Sequence, residues 1–420
     1  MSLKENIQVS RRFQRSIRID SDINSREALE GFICPQSSSQ VLRNMATQIH
    51  ESHQGSFIWT GPYGSGKSSL VVALTAVLAK NKFLKIGENI DKDTFDYLNK
   101  KLIRDNKEWS YFPVVGTKDD PVKIIGQQLE KSGLVDKKNN DWKEGDLIDA
   151  LITISMDEKK SGLIIYVDEM GKFLESVVSG EGDIYLFQQL AEAANRSKGR
   201  LIIVGILHQA FEEYGGRLSR DIRDEWTKIQ GRFSDLPVNT AGEEQIELIS
   251  HAISQKIIPS LTKIKAKQFS DFIIKNRPGV SANLENIFDE CWPLHPVVSS
   301  LLGPISRRRF GQNQRSIFGF LNSSEPLGFQ DFLQDASDND LYEGHDLYDY
   351  LKLNLEPSIL SSPDGHRWSL SVDSVERCSS LEEVSPIHIE LLKTIAIIDL
   401  FKERSGLLPA KSLLPYFLSK

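Results

Sequence analysis

Over the first 240 positions, short apolar runs alternate with amphipathic stretches. Phe57–Trp59, Ser110–Val115, Leu163–Met170, Leu201–Leu207 and Ser234–Val238 are strand-length runs rich in β-branched and aromatic residues. Between and around them lie helical patterns: Ser37–Ile49, the alanine-rich SSLVVALTAVLAK from Ser68, Pro121–Lys131, and Ile184–Asn195. Strands alternating with helices predict a parallel sheet covered on both faces. From Gly242 to about Asn322 the apolar spacing changes to three and four residues, in EEQIELISHAI, KQFSDFIIKN and LENIFDECW, which predicts helices only.

Past Leu333 the chain turns acidic and polar (QDASDNDLYEGHDLYDY), a linker or the surface of a helix, and SSPDGHRWSL reads as a turn-rich loop. Ile387–Leu400 and Pro409–Leu418 read as two helices of a winged-helix or similar small domain. The expected organisation is an N-terminal extension over 1–54, an α/β domain over 55–240, a helical lid over 241–325, and a linker with a helical or winged-helix-like region over 326–420.

Composition narrows the class. At 420 residues the chain is too long for one ordinary core, and 40% hydrophobic with 26% charged residues is a globular balance. No apolar run approaches the roughly 20 residues that cross a bilayer. The start, MSLKENIQVSRRFQRS, lacks the apolar segment of a secretory signal, so a cytoplasmic location is expected. Cys34, Cys291 and Cys378 are scattered without paired spacing, against both a disulfide framework and a zinc site. A net charge of −7 gives no global pull toward nucleic acid, so any DNA contact must be local. The close on YFLSK, without a polar tail, leads us to expect an N-terminal portion of a longer protein.

Candidate chemistry begins at FIWTGPYGSGKSSL. Gly61, Gly66, Lys67 and Ser68 satisfy G-x-x-x-x-G-K-[ST], the pattern of a loop whose backbone N–H groups wrap phosphates. The expected nucleotide-binding set is Gly61, Pro62, Tyr63, Gly64, Ser65, Gly66, Lys67, Ser68 and Ser69. Lys67 would reach the β and γ phosphates, the Ser68 hydroxyl would ligate Mg²⁺, and the following helix would turn its positive end to the anion. ATP and Mg²⁺ are therefore the expected cofactors. A strand before the loop and a helix after it supply the confirming surround.

LIIYVDEM ends in two acids, as a buried parallel strand delivering carboxylates to its C-terminal edge would. Asp168 would hold Mg²⁺, and Glu169 would act as the base that orients the attacking water. LIIVGIL ends in His208 and Gln209. Two readings of that pair stand level: a sensor of the γ-phosphate, with Gln209 preferred, or a polar strand end with hydrogen bonds of its own.

The segment DEWTKIQGRFSDLPV places Arg232 just before the last strand. This resembles the AAA+ ATPases, in which an arginine before the fifth strand reaches the nucleotide of a neighbouring subunit. The resemblance makes Arg232 an arginine finger acting in trans. A local salt bridge is the competing reading, and Arg223 is a nearby alternative. WPLHPVVSSLLGPISRRRFGQNQRSIFGFL looks like the lid of an AAA+ or STAND-type ATPase, with Pro293, His295 and Pro296 as the turn that packs near the base. For Arg307, Arg308, Arg309 and Arg315 three readings remain: a solvated face, a lid sensor arginine (Arg315 the best placed), or a nucleic-acid contact. Phe32 packs in a core or touches adenine.

HQAFEEY, EWTKIQGRF, SRRRFGQNQRSIFGFL and SPDGHRW together look like the large P-loop ATPases of prokaryotic phage-defence islands, similar in kind to the BREX ATPase. The resemblance implies ATP hydrolysis driving conformational change in a homo-oligomer that works with other proteins of its system, with DNA as a further partner and no membrane. The alternative is a STAND-like nucleotide-held switch that signals by oligomerising with little turnover. A small-molecule kinase fits less well, because the paired acids and the large helical half leave no acceptor pocket.

Overall fold

A computed structural model describes residues 3–10, 17–62, 64–135, 141–173, 185–208, 227–240, 242–256, 259–277, 279–281, 283–308 and 317–405. Two units emerge: one is Ser16–Thr240, the other joins Met1–Arg15 to Ala241–Lys420. The segment before position 55 is thus shared between the two.

In the first unit, five parallel strands form one sheet: β1 (Ser56–Thr60), β2 (Ser110–Val115), β3 (Leu163–Asp168), β4 (Leu201–Leu207) and β5 (Ser234–Pro237), in the order β2-β3-β4-β1-β5. Among the described residues six helices of eleven residues or more accompany them: α1 (Gln36–Ser52), α2 (Lys67–Leu78), α3 (Lys92–Leu102), α4 (Pro121–Lys131), α5 (Glu144–Ser155) and α6 (Tyr185–Arg196).

Period-two alternation sorts each strand's side chains between two cores. Ile58, Ile165, Val167 and Ile203 pack with α4, α5 and α6 side chains such as Leu129, Leu151 and Leu190. Phe57, Trp59, Ile164, Tyr166 and Val204 point the other way, against Met45 and Ile49 of α1, Leu70 and Leu74 of α2, and Leu98 of α3. Because both faces are covered, β1, β3 and β4 are buried almost throughout, which is why their sequences read as continuous apolar runs. Phe32 packs against these cores, the core reading of the two.

Among the described residues the other unit is helical apart from a small antiparallel pairing of Ile7–Val9 with Ile253–Gln255. Its longer helices are α7 (Gly242–Ala252), α8 (Ser260–Asn276), α9 (Leu284–Glu290), α10 (Pro296–Ser306), α11 (Gly344–Leu360), α12 (Gly365–Ser379) and α13 (Pro386–Ser405). His295 caps α10, its Nδ1 accepting from Val297 N–H at 3.2 Å with Pro296 in the first turn, which is the turn the sequence suggested.

Two stretches past Leu333 compare differently with the sequence reading. The acidic segment ends in helix α11, opened by a capping box between Glu343 and Asp346, which is the helix-surface reading of the two for that part, whereas most of SSPDGHRWSL belongs to α12 rather than to a loop. Tyr348 and Trp368 explain why: both are buried and stack at 5.2 Å between ring centroids. Among the described residues this region is helical, without a wing hairpin. The helix expected over Pro409–Leu418 lies outside the described residues. Among the described residues no helix is long and apolar enough to cross a membrane.

Candidate functional site

The sheet order determines where a phosphate would sit. β4 lies between β1 and β3, so the loop after β1 and the acids after β3 share the C-terminal sheet edge with one strand between them. This order, the phosphate-loop sequence and the helices on both faces define a P-loop NTPase α/β domain with an AAA+-like sheet, followed by a helical region.

The loop is built around close approach. A Cβ on Gly61 would lie 2.4 Å from the Val238 carbonyl oxygen, so only glycine lets the chain leave β1 past β5. Gly64 and Gly66 adopt left-handed φ of +76° and +84°, and a Cβ on either would point into open space. Conformation, not crowding, selects glycine at those two positions. Lys67 opens α2, whose first turn carries no acidic side chain, so the positive end of the helix is left to whatever enters the loop.

Lys67 is only 4% exposed, and its Nζ donates to the Gly61 carbonyl at 2.6 Å, the Pro62 carbonyl at 2.8 Å and Ser65 Oγ at 3.3 Å. These acceptors are neutral. Burial pushes the ammonium down from 10.5 to about 8, and the Asp168 charge offsets only part of this. Asp168 is shifted the opposite way: burial raises its carboxyl, although the Glu169 N–H donates to Oδ1 at 2.9 Å. The site therefore holds a cation and an anion, each short of countercharge. An anionic phosphate on Lys67, and a divalent cation on Asp168 with the half-buried Ser68, is the ligand pair these groups fit.

Glu169 departs from β3 in a left-handed conformation, φ +49°, and its carboxylate forms an ion pair with Lys172. A Cβ on Gly116, just after β2, would lie 2.3 Å from the Glu169 carbonyl oxygen, so that turn is clamped between two strand ends. Asp20, held by Arg18 at 2.8 Å, adds its charge to those raising Asp168. Gly116, Lys172 and Asp20 escaped the sequence reading, because each acts through a fold contact and belongs to no motif.

Arg232 precedes β5, at the N-terminal edge of the sheet, where its carbonyl accepts from Ser56 Oγ at 2.7 Å. The phosphate loop leaves β1 at the opposite edge, about 17 Å away along five residues. Arg232 therefore cannot serve its own loop. Its Nε and Nη2 donate to Glu192 Oε1 at 3.1 and 2.9 Å, the local salt bridge that the sequence left open beside the finger. That contact holds Glu192 below its ordinary carboxyl value.

The other arginines divide. Arg307 donates to Gln245 Oε1 at 3.1 Å; Arg308 pairs with Asp364, donates to the Leu400 carbonyl at 3.1 Å and lies over the Phe401 ring. Arg308 is thus a tie between helices of its own unit rather than a solvated side chain. Tyr63, Gln209, Arg223, Arg309 and Arg315 lie outside the described residues. Among the described residues there is no cluster of three or more His, Cys, Asp or Glu side chains fit to hold a metal by themselves.

No protein-family model matches the chain, and no curated protein matches it either. Among solved structures, the Aeropyrum pernix ORC2 protein in its ADPNP and ADP complexes is similar over 94% of this chain and 100% of that chain, at 10% identity and a TM-score of 0.37. A likeness of that size adds nothing to what the sheet order establishes.

Proposed function

We propose that this chain is a Mg²⁺-dependent ATPase of AAA+ type, which cleaves the β–γ phosphoanhydride bond of ATP and changes conformation within a cytoplasmic homo-oligomer. The process it serves is DNA-related, with anti-phage defence and further protein partners as the specific setting. The observation that carries the reading is the complementary charge deficit of Lys67 and Asp168 at one sheet edge.

In this reading the loop N–H groups from Gly61 to Ser69 bind the phosphates, and Lys67 exchanges its loop carbonyls for phosphate oxygens. Ser68 and Asp168 hold the cation, which when bound offsets charge developing on the phosphoryl oxygens. Glu169 turns from Lys172 to orient the attacking water, Arg232 completes the site of a neighbouring copy, and Gln209 and Arg315 report the γ-phosphate from the sensor strand and the lid.

A second reading keeps its place: a nucleotide-held switch that assembles with little turnover. The Glu169–Lys172 and Arg232–Glu192 pairs favour it, since both side chains needed for hydrolysis are engaged elsewhere. ATP turnover per molecule across a wide protein concentration range, with Glu169→Gln as blank, separates the two. Specific activity that climbs with concentration supports the ATPase, a rate at the blank supports the switch, and absence of nucleotide binding defeats both.

A further inference from the structure

The N-terminal edge of the sheet, opposite the phosphate loop, is basic in a chain that is acidic overall. Four segments meet there: 79–82 after α2, 103–108 before β2, 156–162 before β3, and 196–200, which runs from the last residue of α6 to β4. Hydrogen bonds fasten them into one surface. Trp109 N–H donates to the Leu78 carbonyl at 3.1 Å, Ser161 Oγ to the Lys107 carbonyl at 2.6 Å, Arg104 Nη2 to the Lys198 carbonyl at 2.9 Å, and Arg200 Nη2 to the Lys160 carbonyl at 3.0 Å. Together the loops hold nine Lys and Arg against four Asp and Glu, in a chain whose net charge is −7.

Helix C-termini also end at this edge, and cations there offset helix dipoles. That accounts for Arg104 and Arg200, which donate to backbone carbonyls. Of the lysines, Lys80 donates to the Asn106 carbonyl at 2.6 Å, and Lys107 and Lys160 pair with Asp105 at 3.2 Å and Glu108 at 3.6 Å, surface pairs weak enough for a polyanion to contest. Lys80 and Lys198 each sit in a left-handed turn, φ +53°, where glycine or asparagine would be about 1 kcal/mol cheaper. Residues kept at a conformational cost are kept for another property, and for lysine that property is charge. Arg104 is held below its ordinary guanidinium value by burial and then by the charge of Arg200, so like charges are crowded here.

We infer that this rim, centred on Arg104, Lys107, Lys160, Lys198 and Arg200, binds the phosphate backbone of double-stranded nucleic acid. The four stretches carry no aromatic side chain, and the exposed Phe83 that follows the first already lies under the Arg26 guanidinium at 6.0 Å, so the surface suits a duplex read through its phosphates without sequence preference. The inference does not rest on the ATPase reading, because the rim lies at the opposite sheet edge from Lys67.

The test uses the full chain without nucleotide, a fluorescent 20-base-pair duplex of random sequence, and anisotropy from low to moderate salt. The double variant Lys160→Glu with Lys198→Glu alters a half-exposed and an exposed side chain; its melting temperature checks the fold. Expected are binding that weakens steeply with salt, a loss of at least about tenfold in the double variant on every sequence tried, and a salt slope lower by roughly two. Lys67→Ala should bind the duplex as wild type does. Duplex binding indifferent to the charge reversal, no binding at low salt, or capture by anionic vesicles with none by duplex would overturn the inference.

Discussion

Arg232 and Glu192 hold each other across the N-terminal edge of the sheet, with two guanidinium nitrogens on one carboxylate oxygen. Both side chains are about one-third exposed, so the pair is screened by solvent and holds the fold only weakly. An arginine bound that weakly can change partners when a more highly charged acceptor arrives from a neighbouring copy.

Glu192→Gln should therefore raise turnover at protein concentrations where wild type is partly assembled, by a few-fold, and leave the melting temperature nearly unchanged. Arg232→Ala should remove the concentration-dependent part of the activity and leave nucleotide binding by dilute protein intact. Steady-state assays over a dilution series, paired with nucleotide titration, would show it. A dilute protein that already needs Arg232 to bind nucleotide would end the trans reading.

At Glu169 conformation and chemistry can be separated. A left-handed φ at a non-glycine residue costs about 1–2 kcal/mol, borne here at the end of the acidic strand. Glu169→Gln keeps that cost, so it should melt with wild type, bind ATP, and turn over roughly 10²- to 10⁴-fold more slowly. Glu169→Gly relieves the backbone and should melt higher while being equally inactive. Calorimetry and a phosphate-release assay on the pair are sufficient, and full activity of either variant would remove Glu169 from the chemistry.

What was legible in the sequence follows from the range of the interactions involved. The phosphate loop, the strand before it and α2 are neighbours in the chain, and each needs residue types that local rules recognise: glycines where φ is positive, lysine where a helix begins. The apolar strands were equally plain because burial on both faces leaves no polar positions in them. The partner of Arg232 lies 40 residues away on another element, and nothing near either residue marks it. The start of α12 was hidden by a Ser-, Pro- and Gly-rich composition that reads as a turn, while the buried Trp368 carries its packing against Tyr348 of α11.

Gly116 offers a test of how tightly the acidic strand end is held. Its Cβ would meet backbone, the Glu169 carbonyl oxygen at 2.3 Å, whereas a Cβ on Gly205 would meet the Met170 Sδ at 2.4 Å. A methionine tip can rotate away; a strand end cannot. Gly116→Ala should cost about 1–3 kcal/mol and also depress turnover, and Gly205→Ala should cost less and spare activity. Thermal melts beside steady-state rates decide, and equal effects in the two variants would mean that the Glu169 turn is free to move.

The shift at Lys67 makes nucleotide binding depend on pH in a direction that can be worked out. In the ligand-free fold its ammonium titrates near 8 against an ordinary 10.5. The folded state therefore holds that proton less firmly than the unfolded chain does, and the cost of keeping Lys67 charged is full below pH 8 and eases between 8 and 10.5. A phosphate in the loop favours the charged form and raises the value again. Binding between pH 8 and 9 should then take up a proton, and affinity should fall as pH climbs past 8, by up to about tenfold per unit. Calorimetry at pH 8.5 in two buffers of different ionisation enthalpy would read the proton directly. Lys67→Met should abolish both the uptake and tight binding while melting no lower than wild type in the absence of nucleotide at pH 7, because it removes a buried cation whose hydrogen-bond acceptors are all neutral. Binding without proton uptake, or a methionine variant that binds as wild type does, would show that the loop holds its ligand without this charge.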